Sequence, residues 1–213
     1  MREENDRFSI ENRKEVRDKE KTLRDQIGTI AYKTTRLPSE FPQTIVSFPS
    51  SGFAPDYFSF GTYDFCSERL RDALAQPPDV IDYTPIDLRC DGAKALAQNY
   101  QRARIIAVQP GLDLQRSRYD TFEWGDPESG KRGVSITSVD KLVLQEGFKP
   151  QTEIFYLAEV PLCLLALDAL AGRVLKANCT GLEFRHLDTP DFTNGSGPIT
   201  VRRPEVGGTR QRA

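Results

Sequence analysis

The chain has 213 residues, 38% of them apolar and 28% charged, enough for a core of its own as one large domain or two small ones. No stretch approaches eighteen consecutive apolar residues, and the N-terminus lacks the apolar segment of a secretory signal, so neither a membrane-spanning helix nor export is expected. Of the net charge of −2, the stretch from Thr200 carries +3 and the remainder −5 (−2 minus +3), which argues against a nucleic-acid binder, with its basic stripe, and is compatible with a partner that is itself basic.

Residues 1–26 mix eight basic and eight acidic residues with few apolar ones, which predicts a charged arm, either a solvated helix or disordered. From Leu37 to Phe65 the composition turns to eight aromatic rings, four prolines and two glycines. The prolines forbid a long helix while the rings need burial, so this stretch reads as loops and short strands wrapped onto a core. Exposed groups in it, Phe53, Tyr57 and Phe58, are candidate partner contacts, with core packing the plainer role for the phenylalanines.

A helix follows. Ser67 is placed to cap it, Glu68 complements its dipole, Leu70, Ala73 and Leu74 form one apolar stripe, and Pro77-Pro78 stops it. "DVIDYTPIDL" and "ARIIAVQPG" read as strands. The loop from 113 to 126 offers Arg116, Arg118 and Trp124 as further contact candidates. "GDPESGKRG" then predicts a turn leading into a strand or hairpin arm, "VSITSVDKLVLQ". "EIFYLAE" is a strand. "VPLCLLALDALAGRVLKA" predicts a helix from near Pro161, apolar almost all round through Leu170 and therefore buried in the core or in a contact. "GLEFRHLD" alternates like a strand, and the Gly/Pro/Arg-rich residues 191–213 predict a flexible basic tail.

The chemistry-bearing residues have plain readings beside the catalytic ones. Cys66, Cys90, Cys163 and Cys179 are far apart and without a CxxC, as expected of reduced thiols in a cytoplasmic protein. The single histidine, His186, is placed by an internal repeat. "IDYTPID" (81–87) and "LEFRHLD" (182–188) both read aliphatic, acidic, aromatic, two variable positions, aliphatic, Asp. His186 falls opposite Pro85, and a position that takes imidazole or proline in two copies of a unit points to structure and not to proton transfer. Asp113, Asp120, Glu123 and Asp126 lack a calcium-loop spacing and have Arg116 and Arg118 among them, so a solvated loop is expected over a metal site. Ser67 lacks a nucleophile elbow, and "GDPESGKRG" lacks phosphate-loop spacing. No cofactor is expected.

These elements predict an α+β fold of mixed sheets with few helices, containing two similar strand–helix–strand units at about 63–88 and 154–188. Three regions follow: an arm at 1–26, a single α+β domain at 27–190, and the tail at 191–213.

The order of "SERLRDAL", "VIDYTPIDL", "LDLQRSRYD", "VDKLVLQ", "EIFYLAE", an apolar helix and "GLEFRHLD" resembles the eleventh numbered family of polymorphic-toxin immunity proteins, from about Leu37 to Asp188. Asp113 and Ser117 of "DLQRS" look like that family's Asp-x-x-x-Ser stretch, and Gly181 and Phe184 look like its closing Gly-x-x-Phe strand. The departure is the second helix, more apolar here than is usual in the family. The resemblance implies a non-enzymatic protein that binds a cognate toxin and protects the producing cell; the cysteines, charge and hydropathy add the expectation of a cytoplasmic protein with no nucleic-acid or membrane partner. Its oligomeric state is open. Two rivals remain: an adaptor that escorts a secreted effector without inhibiting it, and a small enzyme using a cysteine with His186.

Overall fold

The computed structural model describes residues 9–27, 35–48, 55–60, 63–90, 99–125, 132–160, 163–187 and 199–203. Strands β1 (Ser9–Ile10), β2 (Thr44–Phe48), β3 (Tyr57–Phe60), β4 (Tyr63–Ser67), β5 (Ile81–Cys90) and β6 (Tyr100–Ile105) form a mixed sheet in the order β1–β2–β5–β6–β4–β3. A second sheet takes the order β12–β13–β11–β10–β7, from β7 (Val108–Gln109), β10 (Ile154–Leu157), β11 (Leu164–Ala166), β12 (Leu182–His186) and β13 (Ile199–Arg203). β8 (Arg118–Gly125) and β9 (Arg132–Lys141) make a separate two-stranded hairpin. With the helices α1 (Arg13–Ile27), α2 (Glu68–Leu74) and α3 (Asp168–Lys176), this is the expected α+β class.

The repeated motif has a structural counterpart. β3–β4 is an antiparallel hairpin followed by α2 and β5, and β10–β11 is an antiparallel hairpin followed by α3 and β12. In both, the strand after the helix lies parallel to the strand before it, with one later strand between them. The two inserts differ in direction: β6 runs antiparallel to β4 and β5, whereas β13 runs parallel to β11 and β12. Pro85 is tolerated inside β5 because the strand changes partner there. Ile81 to Pro85 pair with β6, and Ile86 to Cys90 pair with β2.

Two expectations require correction. The apolar run after Pro161 does not begin a helix: Leu164–Ala166 is a strand with all three residues buried, and α3 starts only at Asp168. A short continuous apolar run fits a doubly buried strand as well as a buried helix, and periodicity does not separate them. The expected loose tail also contains structure, because Ile199–Arg203 is β13, between β11 and β12. Its β-branched "ITV" suits a strand, while the surrounding Gly and Pro signal only turns.

α1 is anchored to the first sheet. Val16 is fully buried and Glu20 nearly so. The Glu20 carboxylate accepts from Arg102 Nη2 at 2.6 Å and from the Tyr63 hydroxyl at 3.1 Å, while the Arg102 guanidinium lies 4.7 Å over the Tyr63 ring. Asn12 fixes the helix start to β2, donating to Gln43 O at 2.8 Å and accepting from Ile45 N at 3.0 Å.

The halves share one core cluster. Leu70 and Leu74 of α2 pack with Leu170 and Val174 of α3 and with Ile81, Ile154 and Leu164. Arg173 of α3 donates to Ala73 O and Leu74 O at the end of α2, where carbonyls have no intrahelical partner, and pairs with Glu153 at 2.6 Å. Asp56 ties the same halves from the other side. Its carboxylate accepts from the Ser67 hydroxyl, from Arg69 Nε, and from the Thr180 N–H and hydroxyl, at 2.6–3.0 Å.

Candidate partner-binding surface

β8 and β9 stand apart from both sheets, and what positions them is a compact turn at their base. Asp113 Oδ1 accepts the N–H groups of Gln115 and Arg116, each at 3.0 Å, the arrangement by which an Asp side chain imitates a backbone turn. Those bonds, first from the Arg116 N–H and then from its side chain, hold the Asp113 carboxyl below its usual range. Ser117 closes the turn, its hydroxyl accepting from Val143 N at 3.0 Å and lying 3.2 Å from Val143 O. Arg116 also donates to Leu144 O. The segments entering β8 and leaving β9 are thereby fastened together, and Ile136 and Val139 of β9 pack on a third core cluster built around Leu112, Phe155, Leu157 and Leu165.

Beyond that base the hairpin leaves the core. Register shifts between Arg118 and Tyr119 and between Asp120 and Thr121 bend its lower half, after which five consecutive pairs from Thr121↔Ile136 to Gly125↔Arg132 run regularly. In this distal part Phe122 is 60% exposed and Val134 is 63% exposed. Phe122 opposes Ser135 and Val134 opposes Glu123, so the two apolar groups project from opposite faces of the ribbon. Isolated two-stranded ribbons are marginal in water, and apolar side chains on both faces do nothing for such a ribbon alone.

The sequence candidates separate cleanly. Arg118 and Trp124 belong to β8: Arg118 is highly exposed and pairs with Asp140 at 3.2 Å, and Trp124 stands opposite Gly133. Arg116 is exposed but engaged in the turn through Asp113 at 2.6 Å. Tyr57 and Phe58 are not surface groups. Both are buried, because neighbouring residues of β3 point to opposite faces and each face is covered: Tyr57 packs in the cluster shared by the two helices α2 and α3, and the Phe58 ring stacks on Phe65 at 4.9 Å in the cluster under α1. Phe53 lies outside the described residues. Reading the sequence missed Phe122 and Val134. The available signal is the spacing of Phe122 and Trp124, two positions apart as on one face of a strand, within the segment that reads from sequence as the 113–126 loop.

Ser67, Cys66 and Cys179 are not set up for covalent chemistry, and the side chains of Cys90 and His186 lie outside the described residues. The Ser67 hydroxyl caps α2, accepting from Leu70 N at 3.1 Å, and donates to Asp56. Burial pushes the Cys66 thiol up to about 12 and raises that of Cys179 as well, the opposite of what a nucleophilic thiolate requires. Among the described residues no three His, Cys, Asp or Glu side chains come together as metal ligands. Asp120 instead accepts from the Ser138 hydroxyl at 2.6 Å across the hairpin.

Residues 1–189 match the Immunity protein family (Imm11). The chain belongs to that family. Its function is thus toxin-neutralising immunity, and membership of that family implies a non-enzymatic role. No curated protein matches the chain. In this Imm11 member the Asp113 and Ser117 positions build the turn that supports the hairpin, and the closing Gly-x-x-Phe strand is explained by contact. Gly181 has φ +89°, and a Cβ there would stand 1.9 Å from Tyr57 O, while Phe184 packs against the shared core. Among the described residues no helix is long and apolar enough to cross a membrane.

Proposed function

We propose that the protein neutralises a cognate toxin by direct, non-catalytic binding in the cytoplasm of the producing cell, and that the distal β8–β9 hairpin makes the central contact. The observation that carries this reading is the pair of exposed apolar side chains, Phe122 and Val134, on a ribbon whose base is rigidly fastened by Asp113, Arg116 and Ser117. Interfaces of about 1,600 Å² draw most of their energy from a few aromatic, apolar and Arg anchors placed in a partner's pockets. The hairpin supplies Phe122, Trp124, Val134 and Arg118 on one element. A protruding ribbon of this kind suits insertion into a concave site, such as a toxin's catalytic cleft, and a preorganised base lowers the ordering cost of binding.

The test is co-expression with its cognate toxin, read by growth and by co-purification. The wild-type protein rescues growth and co-purifies. The double substitution Phe122→Ser/Val134→Ser weakens binding at least about tenfold, the size expected for losing hot-spot contacts, and reduces rescue while leaving the melting temperature in place. Retention of full affinity by that variant would move the interface elsewhere. Co-purification with an active toxin would point to an adaptor.

A further inference from the structure

α1 is sided in charge as well as in burial. Val16 and Glu20 face the sheet, and Leu23 is half-buried. At 3.6 residues per turn, Arg13, Lys14, Arg17, Lys21 and Arg24 fall on one flank within about 100° of arc, with no acidic residue among them. All five are exposed. The exposed acids of the helix, Glu15, Asp18 and Asp25, lie beyond the edge of that flank, where Asp25 meets Lys21 at 2.8 Å. Arg13 and Arg17, and again Arg17 and Lys21, are four residues apart, while Lys14 and Arg17, and Lys21 and Arg24, are three apart. At these spacings like charges destabilise a helix, so a sequence selected for folding alone would intersperse the signs. The stripe is also held in one orientation by the buried Glu20–Arg102 pair and by Asn12, which makes it a fixed surface and not a swinging arm.

We propose that this flank of α1 is an electrostatic docking strip for an acidic surface of the cognate toxin, a proposal that rests on the toxin-binding reading above. Charge complementarity selects the partner. A lipid surface is disfavoured because an interfacial helix must insert an apolar face, and α1 has only three apolar residues, of which Val16 is buried in the core and Leu23 is half-buried, leaving Ile27 alone exposed at its end. A nucleic acid is disfavoured because α1 carries no aromatic ring for stacking and the chain as a whole is acidic, with a net charge of −2. The strip therefore reverses what net charge alone suggests about the partner, and acts on encounter rate more than on final affinity.

The experiment compares association of purified toxin with the wild-type protein and with Lys14→Glu/Arg17→Glu/Lys21→Glu, at low and at high salt. The proposal expects the association rate of the variant to fall at least about tenfold at low salt, with dissociation changed by less than about threefold. It also expects the two rates to converge at high salt, where exposed charges are screened. A neutral variant, Lys14→Gln/Arg17→Gln/Lys21→Gln, falls between them, and circular dichroism confirms that both variants keep α1. An unchanged low-salt association rate in the folded variants overturns the strip while leaving toxin binding intact. Failure of the wild-type protein to bind toxin removes the parent reading, and stripe-dependent binding to anionic vesicles or duplex DNA in its place overturns the choice of partner.

Discussion

Asp56 and Asp64 stand eight positions apart in the sequence and respond to pH with opposite signs. Burial alone would raise the Asp56 pKa, but the bonds from Arg69, Ser67 and Thr180 outweigh it and hold the group at about 2, against an ordinary 3.8. The folded state thus prefers the carboxylate, and about 2 kcal/mol of stability present above pH 4 is lost as pH falls toward 2. Burial lifts Asp64 to about 6, against the opposing effects of Tyr57 and Arg102. Its contribution is favourable below the unfolded value near 4 and is lost as pH rises through 6. Melting temperature measured against pH therefore falls on both sides of about pH 4 on account of these two groups. Asp64→Asn flattens the limb between about pH 4 and 6, and persistence of that limb in the variant would assign it to other groups. Gly181 makes a different kind of demand. With φ +89° and Tyr57 O in the way of any Cβ, Gly181→Ala is expected to cost about 3 kcal/mol or more, read by urea unfolding.

At the scale of elements, α1 illustrates how a nearly all-polar segment becomes a fixed part of a fold. Its amphipathic face contributes little apolar area beyond Val16, so the attachment rests on the Glu20–Arg102–Tyr63 contact and on Asn12. Removing one partner of a buried ion pair strands the other in a low-dielectric site. Glu20→Ala is accordingly predicted to destabilise the protein by about 3 kcal/mol. Amide exchange should then show α1 losing protection while α2 and β6 keep theirs. Equal loss across all three elements would mean that α1 is integral to the global unfolding unit. β11 and α3 make the complementary point. Within the unbroken apolar run from Leu162 to Leu167, Leu164–Ala166 is taken into the sheet as a strand and Leu167 serves as the N-cap position of α3, which begins only at Asp168.

Considered as a whole, the molecule is two related hairpin–helix–strand units sharing one core cluster, with a hairpin projecting from a third cluster. Leu70 and Leu74 come from one unit and Leu170 and Val174 from the other, and Arg173 and Asp56 bond across the same junction. The two halves should therefore unfold together. Leu170→Ala, at a site with no solvent exposure, is expected to lower stability by about 2–5 kcal/mol while keeping a single transition by fluorescence and by circular dichroism. Two separated transitions would show that the units are independent.

The sequence by itself determined what depends on neighbours along the chain. Ser67 as a cap, the prolines that stop α2, the strands β5 and β12 and their likeness to one another were all legible, and with them the fold class and the family. Local sterics and hydrogen bonding set these features, so a window of a few residues contains the cause. Tertiary structure alone decided where β13 inserts, that Leu164–Ala166 is a strand, and that Tyr57 and Phe58 close the core while Phe122 and Val134 meet solvent. An aromatic or aliphatic side chain has the same transfer free energy wherever it stands in the sequence, and whether it is buried depends on which distant segments arrive to cover it.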